Sequence, residues 1–319
     1  MNLLVDINIV VFALVFSLFA VETGIALLNL LAYEKVWKRT TQYIAASWAI
    51  SGTFLVFYIV NFEATYPLIL TQAGTLYIVP VLLAGLFVIF RNAFIAYSEY
   101  AEDAVAKKTF VRVYAISTLI AVFLLISVLS STVTGTGVNL STMSLDYLEI
   151  LFNPYNLLMF VCTAAVSILA VIMLLSIEKP LGFDKVTALS LLLVIIIATF
   201  LYATLTYAPF VAQGLGSRWL YLIPGVVMLL VAAGLYLNRK GRWNAICAFL
   251  WLVTTVSGFE TLGHPKIFGG ALSISSFLAP QSAASASLII TVCTAMLLAV
   301  GAGLLIYANR KSSKKVARY

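Results

Sequence analysis

The chain has 319 residues, of which 63% are hydrophobic and only 10% are charged, and its mean hydropathy is +1.07. Soluble domains contain about 45–50% apolar and about 25% charged residues, so this composition excludes a soluble protein and indicates an integral membrane protein. The net charge of +7 does not require a nucleic acid partner, because basic loops beside anionic lipid headgroups explain it.

Runs of about 20 apolar residues predict nine membrane-spanning helices. The eighth is short and leads into a segment rich in Gly, Ser and Ala, which indicates either a loop or half a helix. The fold class predicted is therefore an all-α integral membrane protein with about nine transmembrane helices. In chain order the predicted spans are 8–32, 43–61, 74–97, 113–132, 156–177, 186–209, 219–238, 243–259 and 284–308.

The distribution of Lys and Arg predicts the orientation, since basic loops stay on the cytoplasmic side. All basic residues except Arg91, Arg218 and Lys266 lie in five segments that nine spans place on one side. This puts the N-terminus outside and the C-terminus in the cytoplasm, as expected for a multi-pass protein of the cell membrane. The five segments are EKVWKR, AEDAVAKKTFVR, EKPLGFDK, NRKGR and NRKSSKKVARY.

The first predicted span contains one carboxylate, Glu22, near its middle. A charge at membrane depth costs at least about 2.5–3.5 kcal/mol on insertion scales and is by default a functional hypothesis. The short side chain cannot reach either surface, so it should face protein or water, either protonated or paired. Two hypotheses follow: Glu22 belongs to a proton route, or it is an acid bonded across a helix interface.

Arg91 lies toward the inner end of the third span, in LFVIFRNAFIAY. Its long side chain can extend to the cytoplasmic surface, or it can be a structural charge that pairs with a neighbouring helix. We expect the second role to matter for assembly.

The outward loop after the fourth span contains two local signals. Asn139-Leu140-Ser141 is an N-x-S/T sequon, so Asn139 would accept a glycan in an organism that glycosylates. Further on, Asn153 followed by Pro154 predicts an N-cap and the first turn of the fifth span. We expect this helix to open the second half of the chain.

The residues for bond-making chemistry are missing. Haem in a membrane subunit needs axial ligands, usually His with His or Met, and the sequence has a single histidine, His264, in a predicted outward loop. We expect it to be a loop residue, salt-bridged to Glu260. No nucleotide-binding loop, HExxH or Ser-His-Asp set is present, so we predict no catalytic residue and no metal site in this chain.

Several short segments resemble subunit II of the cytochrome bd quinol oxidases, in the same order along nearly the whole chain. FAVETGIALL resembles that family's first-helix stretch, and FRNAFIAY resembles the end of its third helix. EILFNPYNLLMFV resembles the segment that opens its fifth helix, where an L-N-P-[FY]-x-L-L pattern recurs. YLIPGVVMLLVAAGLYLNRKGRWNAICAFL and SFLAPQSAASASLIITV also follow in matching order.

The resemblance implies two four-helix bundles and a peripheral ninth helix, paired with a haem-bearing subunit I. The implied domains are a first bundle at 1–132, an outward loop at 133–155, a second bundle at 156–259, an outward Gly/Ser/Ala-rich loop at 260–283, and the ninth helix with a basic cytoplasmic tail at 284–319. It also implies that this chain binds no haem of its own, that a structural quinone can be held here, and that small accessory subunits are allowed. Quinol, the lipid bilayer and subunit I are the expected partners, with no nucleic acid.

This sequence differs from the family at the acidic residues of the family's proton route. The family's first-helix acid immediately precedes the glycine, but here Thr23 takes that position and Glu22 is one residue earlier, a rotation of about 100° on a helix. The acid that follows a second-helix tryptophan in the family is absent, because Ala49 follows Trp48. A proton route here would depend on Glu22, on the hydroxyls of Ser47 and Ser51, or on water.

Three functional hypotheses remain at this point. The first is the haem-free subunit II of a cytochrome bd-type quinol:oxygen oxidoreductase, which scaffolds subunit I and assists proton delivery. The second is the quinone-site membrane anchor of another respiratory complex, with a b-type cytochrome or iron–sulfur partner. The third is a secondary transporter, which should show polar groups near midplane in both halves; the sequence places only Glu22 at that depth.

Overall fold

The computed structural model describes residues 3–238, 241–280, 283, 285–289, 291–293 and 296, with side chains for all of these except 38–39, 41–50, 70–73 and 241–242. Helices dominate, and two short two-stranded hairpins, β1 with β2 and β3 with β4, lie in the connecting loops. The helices are α1 (Leu3–Thr65), α2 (Pro67–Tyr100), α3 (Ala104–Thr134), α4 (Tyr147–Phe152), α5 (Pro154–Leu174), α6 (Lys185–Tyr207), α7 (Pro209–Arg218), α8 (Ile223–Leu237) and α9 (Gly241–Gly263), and the strands are β1 (Val138–Asn139), β2 (Ser144–Leu145), β3 (Lys266–Ile267) and β4 (Leu272–Ser273).

Seven segments of the described chain are long and apolar enough to cross a membrane, which confirms the predicted fold class of an all-α membrane protein. Each coincides with a predicted span. The predicted span 43–61 lies in the second half of α1, and the predicted ninth helix at 284–308 and the basic tail fall outside the described residues except for a few positions. The segments are Leu3–Trp37, Gly74–Tyr100, Ala104–Thr134, Pro154–Leu174, Lys185–Tyr207, Pro209–Leu237 and Trp243–Gly263.

Helix α1 is a hairpin of two antiparallel arms and not one straight rod. The backbone leaves helical geometry at Ala32, with φ −149° and ψ 42°. Asn8 Nδ2 donates to Thr65 Oγ1 over 3.1 Å, although these residues would be about 85 Å apart on a straight helix. Asn29 Nδ2 likewise donates to Thr40 Oγ1 over 3.2 Å. The first arm therefore corresponds to the predicted span 8–32 and the second arm, residues 38–65, contains the predicted span 43–61.

The segment 210–218, predicted as a loop between two spans, lies in helix α7 (Pro209–Arg218). It continues through a 3₁₀ turn at Trp219–Leu222 into α8, so the predicted start of this span at 219 is wrong. The two glycines of QGLGSR suggest a loop, but Gly214 packs directly against α9. A Cβ on Gly214 would lie 2.1 Å from the carbonyl oxygen of Leu262, so the glycine permits this close contact between helices.

Helix α9 continues to Gly263, four residues past the predicted end of the eighth span at 259. Glu260 is therefore in the last turn of a membrane helix and not in the following loop. Beyond it, the Gly/Ser/Ala-rich segment forms the β3–β4 hairpin and 3₁₀ turns at Phe268–Gly270 and Ile274–Phe277. Residues 269–280 of this segment are loop, whereas residues 283 and 285–287 are helical.

Local capping explains where several helices begin. Asn153 accepts a hydrogen bond from Asn156 N over 2.8 Å, with Pro154 as the first residue of α5. Asp103 caps α3 by accepting from Ala106 N over 2.8 Å. Side chains at this position satisfy amide groups that have no partner within the helix, which stabilises the start of the helix.

The largest buried core lies where the first arm of α1 meets α5 and α9. Gly24 marks the closest approach: a Cβ there would lie 2.2 Å from the carbonyl oxygen of Ser167 and 2.7 Å from Val171 Cγ2. Small residues allow helix backbones to approach in membranes, where packing and not hydrophobic burial drives association. This crossing joins the two halves of the chain.

Candidate functional site

The interior of the first half contains a buried ion pair between two membrane helices. Glu22 Oε2 on the first arm of α1 accepts a hydrogen bond from Arg91 Nη1 on α2. The two side chains are 2% and 1% exposed. Two roles were considered for Arg91, and in the structure it pairs across helices and does not extend to the cytoplasmic surface. Glu22, expected to be either protonated or paired, has Arg91 as its partner.

Ser51, on the second arm of α1, completes the site. Its hydroxyl donates to Glu22 Oε1 over 2.8 Å, so the two carboxylate oxygens have different partners, a hydroxyl and a guanidinium. Ser51 is fully buried. The side chain of Ser47, the other predicted hydroxyl, lies outside the described residues.

Arg91 has further contacts that fix its position. Its Nε donates to Asn92 Oδ1 over 3.2 Å, and the guanidinium carbon lies 5.3 Å from the centroid of the Phe19 ring. A cation over an aromatic face is stabilised by the ring quadrupole, more so where water is excluded. The Phe19 contact comes from the same arm as Glu22, so Arg91 attaches α2 to that arm at two points.

The ion pair and the contact between α1 and α5 lie on opposite sides of the first arm of α1. Residues 22 and 24 point about 200° apart on a helix, so Glu22 faces Arg91 while Gly24 faces α5. Thr23 Oγ1 donates to Phe19 O over 2.7 Å within its own helix. Glu22 therefore points into the first half of the chain, away from α5.

The chemistry available to this set is proton holding and relay. Arg does not lose its proton in proteins. Proton uptake can therefore occur only on the carboxylate, and Oε1 is the oxygen in contact with a hydroxyl that can donate and accept. The same contacts also hold together three membrane segments.

Two predicted residues lie away from this site, in or beside the connection between α3 and α5. Asn139 is exposed in β1, and its Oδ1 accepts from Ser141 N over 3.1 Å and from Ser141 Oγ over 2.7 Å. Asn153 caps α5 and also donates from Nδ2 to Ile150 O over 2.9 Å. Glycosylation of Asn139 stays a prediction.

The predicted salt bridge between His264 and Glu260 is absent from the ion pairs of the described residues. The contact between them is the backbone bond His264 N to Glu260 O, over 3.1 Å. Arg218 donates to the carbonyl oxygens of His264 and, over 3.2 Å, of Thr261. It thus satisfies carbonyl groups at the end of α9, which explains one exception to the cytoplasmic placement of basic residues.

Burial lowers the pKa of His264, and the nearby Arg218 cation adds to this effect while Asp6 opposes it. The imidazole is therefore mainly neutral at physiological pH. It is the only histidine in the sequence, so the chain does not fit a haem with two histidine ligands.

The sequence interpretation treated Glu22 and Arg91 separately and did not predict that they pair. A signal was present, because one acid and one base at membrane depth in the same half are expected to pair. Glu260 was missed as a membrane acid because its helix was ended too early. Because Glu260 lies in the last turn of its helix, it does not bear on the prediction that only Glu22 lies near the middle of a span.

Comparisons with known proteins agree along nearly the whole chain. The model of the family "Cytochrome bd terminal oxidase subunit II" matches residues 2–308. A search of curated proteins found no match. The fold is similar to a chain in the structure of bd oxidase from Geobacillus thermodenitrificans, with a TM-score of 0.76, 16% identity, and coverage of 96% of this chain and 98% of that chain.

Proposed function

This chain belongs to the cytochrome bd terminal oxidase subunit II family, and from that premise we propose that it is the haem-free, non-catalytic subunit of a cytochrome bd-type quinol:oxygen oxidoreductase. Membership makes it part of an oxidoreductase complex in the cytoplasmic membrane, with a subunit I partner and quinol as electron donor. It favours the first of the three hypotheses over the membrane anchor and the transporter. The proposal adds that this chain scaffolds subunit I and assists proton delivery.

The observation that supports proton delivery is the geometry at Glu22. Its Oε2 is bound to Arg91, whereas its Oε1 accepts from the Ser51 hydroxyl over 2.8 Å. A hydroxyl can pass a proton by accepting one and donating another, so Ser51 is the group through which a proton reaches or leaves the acid. Glu22 would then be the one carboxylate of the relay, with Arg91 bound to its other oxygen.

The same geometry supports the scaffolding role. The ion pair and Ser51 connect both arms of α1 with α2, and Gly24 brings the first arm against α5. The first arm of α1 therefore contacts both halves of the chain. A rigid subunit of this kind can present a fixed surface to a partner without contributing redox centres.

The first experiment is a purification through a tag on this chain in mild detergent. A reduced-minus-oxidised visible spectrum, haem quantification and mass spectrometry are then made on the same preparation. We expect haem to co-purify and to remain with subunit I when the two chains are separated. Haem that stays with this chain after separation contradicts the haem-free proposal, and co-purification with another cytochrome or with an iron–sulfur protein contradicts the assignment of the complex.

The same preparation tests the remaining parts of the proposal. A quinone held by this subunit should appear in the lipid extract at a fixed ratio to the complex and should persist through washing with detergent. Small accessory subunits should appear in the mass spectrum at constant stoichiometry.

A further inference from the structure

The carboxylate of Glu22 and the guanidinium of Arg91 form one hydrogen bond where their shapes allow two. Arg91 Nη1 donates to Glu22 Oε2. A planar guanidinium often meets a carboxylate through two parallel bonds, because the spacing of its N–H groups matches that of the two oxygens. Here the other oxygen, Oε1, accepts from the Ser51 hydroxyl over 2.8 Å. The pair therefore lacks the second bond of a two-bond arrangement.

The donor that could form this second bond is Arg91 Nη2. It is enclosed by protein, and among the described residues it has no hydrogen-bond partner. The whole Arg91 side chain is 1% exposed. An unpaired donor on a buried charged group is costly, so any conformation that gives Nη2 an acceptor is favoured.

The other contacts of Arg91 limit what Nη2 can reach. Nε donates to Asn92 Oδ1 over 3.2 Å, and the guanidinium carbon lies 5.3 Å from the centroid of the Phe19 ring. Since Nη1 is already bonded to Oε2, a turn of the carboxylate can bring Oε1 to Nη2. A carboxylate oxygen can accept two hydrogen bonds, but Nη2 is unpaired while Oε1 is bonded to Ser51. The carboxylate is thus turned toward the hydroxyl.

Ser51 can leave Oε1 without losing a partner. A hydroxyl on a helix can donate to the carbonyl oxygen four residues earlier, as Ser17 does to Ala13 O over 2.6 Å on the first arm. For Ser51 the corresponding acceptor is the carbonyl oxygen of residue 47. Rotation about a single side-chain bond separates the staggered positions of the hydroxyl. The Ser51 hydroxyl therefore has two alternative acceptors.

We propose that Ser51 and Arg91 Nη2 compete for Oε1 of Glu22, and that this competition gates proton exchange at the acid. With Ser51 on Oε1, the hydroxyl passes its proton to the carboxylate while it accepts another from a water molecule or hydroxyl on its other side. With Nη2 on Oε1, both oxygens are bound to a guanidinium that does not lose its proton, and the acid is closed. The gating role depends on the proposed proton delivery, whereas the competition is a property of the three side chains alone.

The first test is a double-mutant cycle on the thermal midpoint of the intact complex. Ser51→Ala should leave the midpoint unchanged or raise it, because Nη2 then pairs with Oε1. Lys has a single ammonium group in place of the two-pronged guanidinium. In an Arg91→Lys background, Ser51→Ala should therefore lower the midpoint by a few degrees, since Oε1 loses a donor that nothing replaces. Losses of equal size in the two backgrounds overturn the competition.

A structure of the Ser51→Ala complex by electron cryomicroscopy tests the same competition without Arg91→Lys. We expect Arg91 Nη2 to lie at hydrogen-bond distance, about 2.7–3.2 Å, from Glu22 Oε1. A pair that keeps its single bond in this variant overturns the proposal. This test remains decisive if Arg91→Lys does not assemble.

Oxygen reduction by the same complexes tests the gating role. Ser51→Ala should slow turnover about 10²-fold, the lower end of the effect of a positioned proton carrier, whereas Ser51→Thr keeps the hydroxyl and should retain turnover. Ser17→Ala is the matched control, because it removes a buried hydroxyl that bonds within its own helix, and it should leave turnover unchanged. Normal turnover in Ser51→Ala, or an equal loss in Ser51→Thr, overturns the gate.

These outcomes are separable from failure of the proposed function. Normal turnover in a complex without the Glu22 and Arg91 charges contradicts proton delivery through this site. Equal losses in the double-mutant cycle contradict only the competition and leave Ser51 as a simple hydrogen-bond donor to Glu22.

Discussion

Arg91 and Glu22 are 69 positions apart in the chain and form a buried ion pair that links α2 to the first arm of α1. Burying both charges is costly, and their mutual attraction offsets that cost only while both partners are present. Each charge therefore depends on the other, and the consequences of removing one differ from those of removing both.

Replacing Arg91 with Ala should impair assembly. The change leaves the Glu22 carboxylate buried without its partner, and breaking a buried pair in this way costs about 3–5 kcal/mol. The measurement is the yield of intact complex by gel filtration. Lys108→Ala is the matched control, because it removes the exposed ion pair with Glu34 at 2.7 Å, worth about 0–1 kcal/mol. Equal yields from both variants contradict the structural role of Arg91.

Replacing Glu22 with Gln and Arg91 with Met together separates stability from proton transfer. Glu22→Gln alone leaves Arg91 unpaired, so lower yield would obscure any loss of turnover. The double variant removes both charges, and replacing a buried pair with uncharged groups is often neutral for stability. If Glu22 relays protons, the double variant should assemble and reduce oxygen about 10²-fold more slowly, the lower end of the effect of a positioned proton carrier. Normal turnover would limit Glu22 to an interhelical contact.

Gly24→Ala should destabilise the contact between the two halves of the chain. The added Cβ would lie 2.2 Å from the carbonyl oxygen of Ser167, and backbone cannot yield as a flexible side chain can. Overpacking of this kind typically costs about 1–3 kcal/mol. The thermal midpoint of the purified complex should fall. Gly234→Ala should leave it unchanged, because no described atom beyond its own stretch of helix lies within 4 Å of the added Cβ. A similar midpoint in both variants would contradict the close crossing of α1 and α5.

Asn153→Ala should weaken the start of α5. It removes the cap on Asn156 N and the bond to Ile150 O, and loss of an N-cap costs about 0.5–2 kcal/mol. Hydrogen exchange of the first turn of α5 should accelerate. Asn139→Ala, in an exposed turn, is the control and should change exchange only in its own loop. Unaltered protection at the start of α5 would refute the capping role.

His264 should make the outward loop sensitive to acid. Its folded pKa is lowered from 6.5 by burial and then by Arg218, so the unfolded loop binds a proton more readily than the folded one. Stability is therefore full above about pH 6.5 and declines as the pH falls below that value. Exchange of residues 264–278, corrected for intrinsic rates, should increase between pH 7.5 and pH 5.5 in the wild type, values that bracket the ordinary histidine pKa of about 6.5. It should not do so in His264→Gln, and an equal increase in both proteins assigns the effect to another group.

Features that depend on residues close together in the sequence were predictable from it. The membrane class and seven spans followed from apolar runs, because burial in lipid requires about 20 consecutive apolar residues. The start of α5 followed from Asn153-Pro154, since capping involves residues three positions apart. The start of α7 was missed because the glycine pattern of QGLGSR indicates a loop unless the contact of Gly214 with Leu262 is known.

The composition and order of this sequence alone determined a multi-pass helical membrane protein with an acid at membrane depth, and the motifs indicated its family. Only the tertiary structure decided that Glu22 pairs with Arg91 and Ser51, that Gly24 faces α5, and that Glu260 lies in the last turn of α9. Each residue turns a helix by about 100°, and an apolar segment gives little information about which side faces a neighbour. The partner of a buried charge therefore depends on helix rotation and adjacency, which are properties of the packed chain.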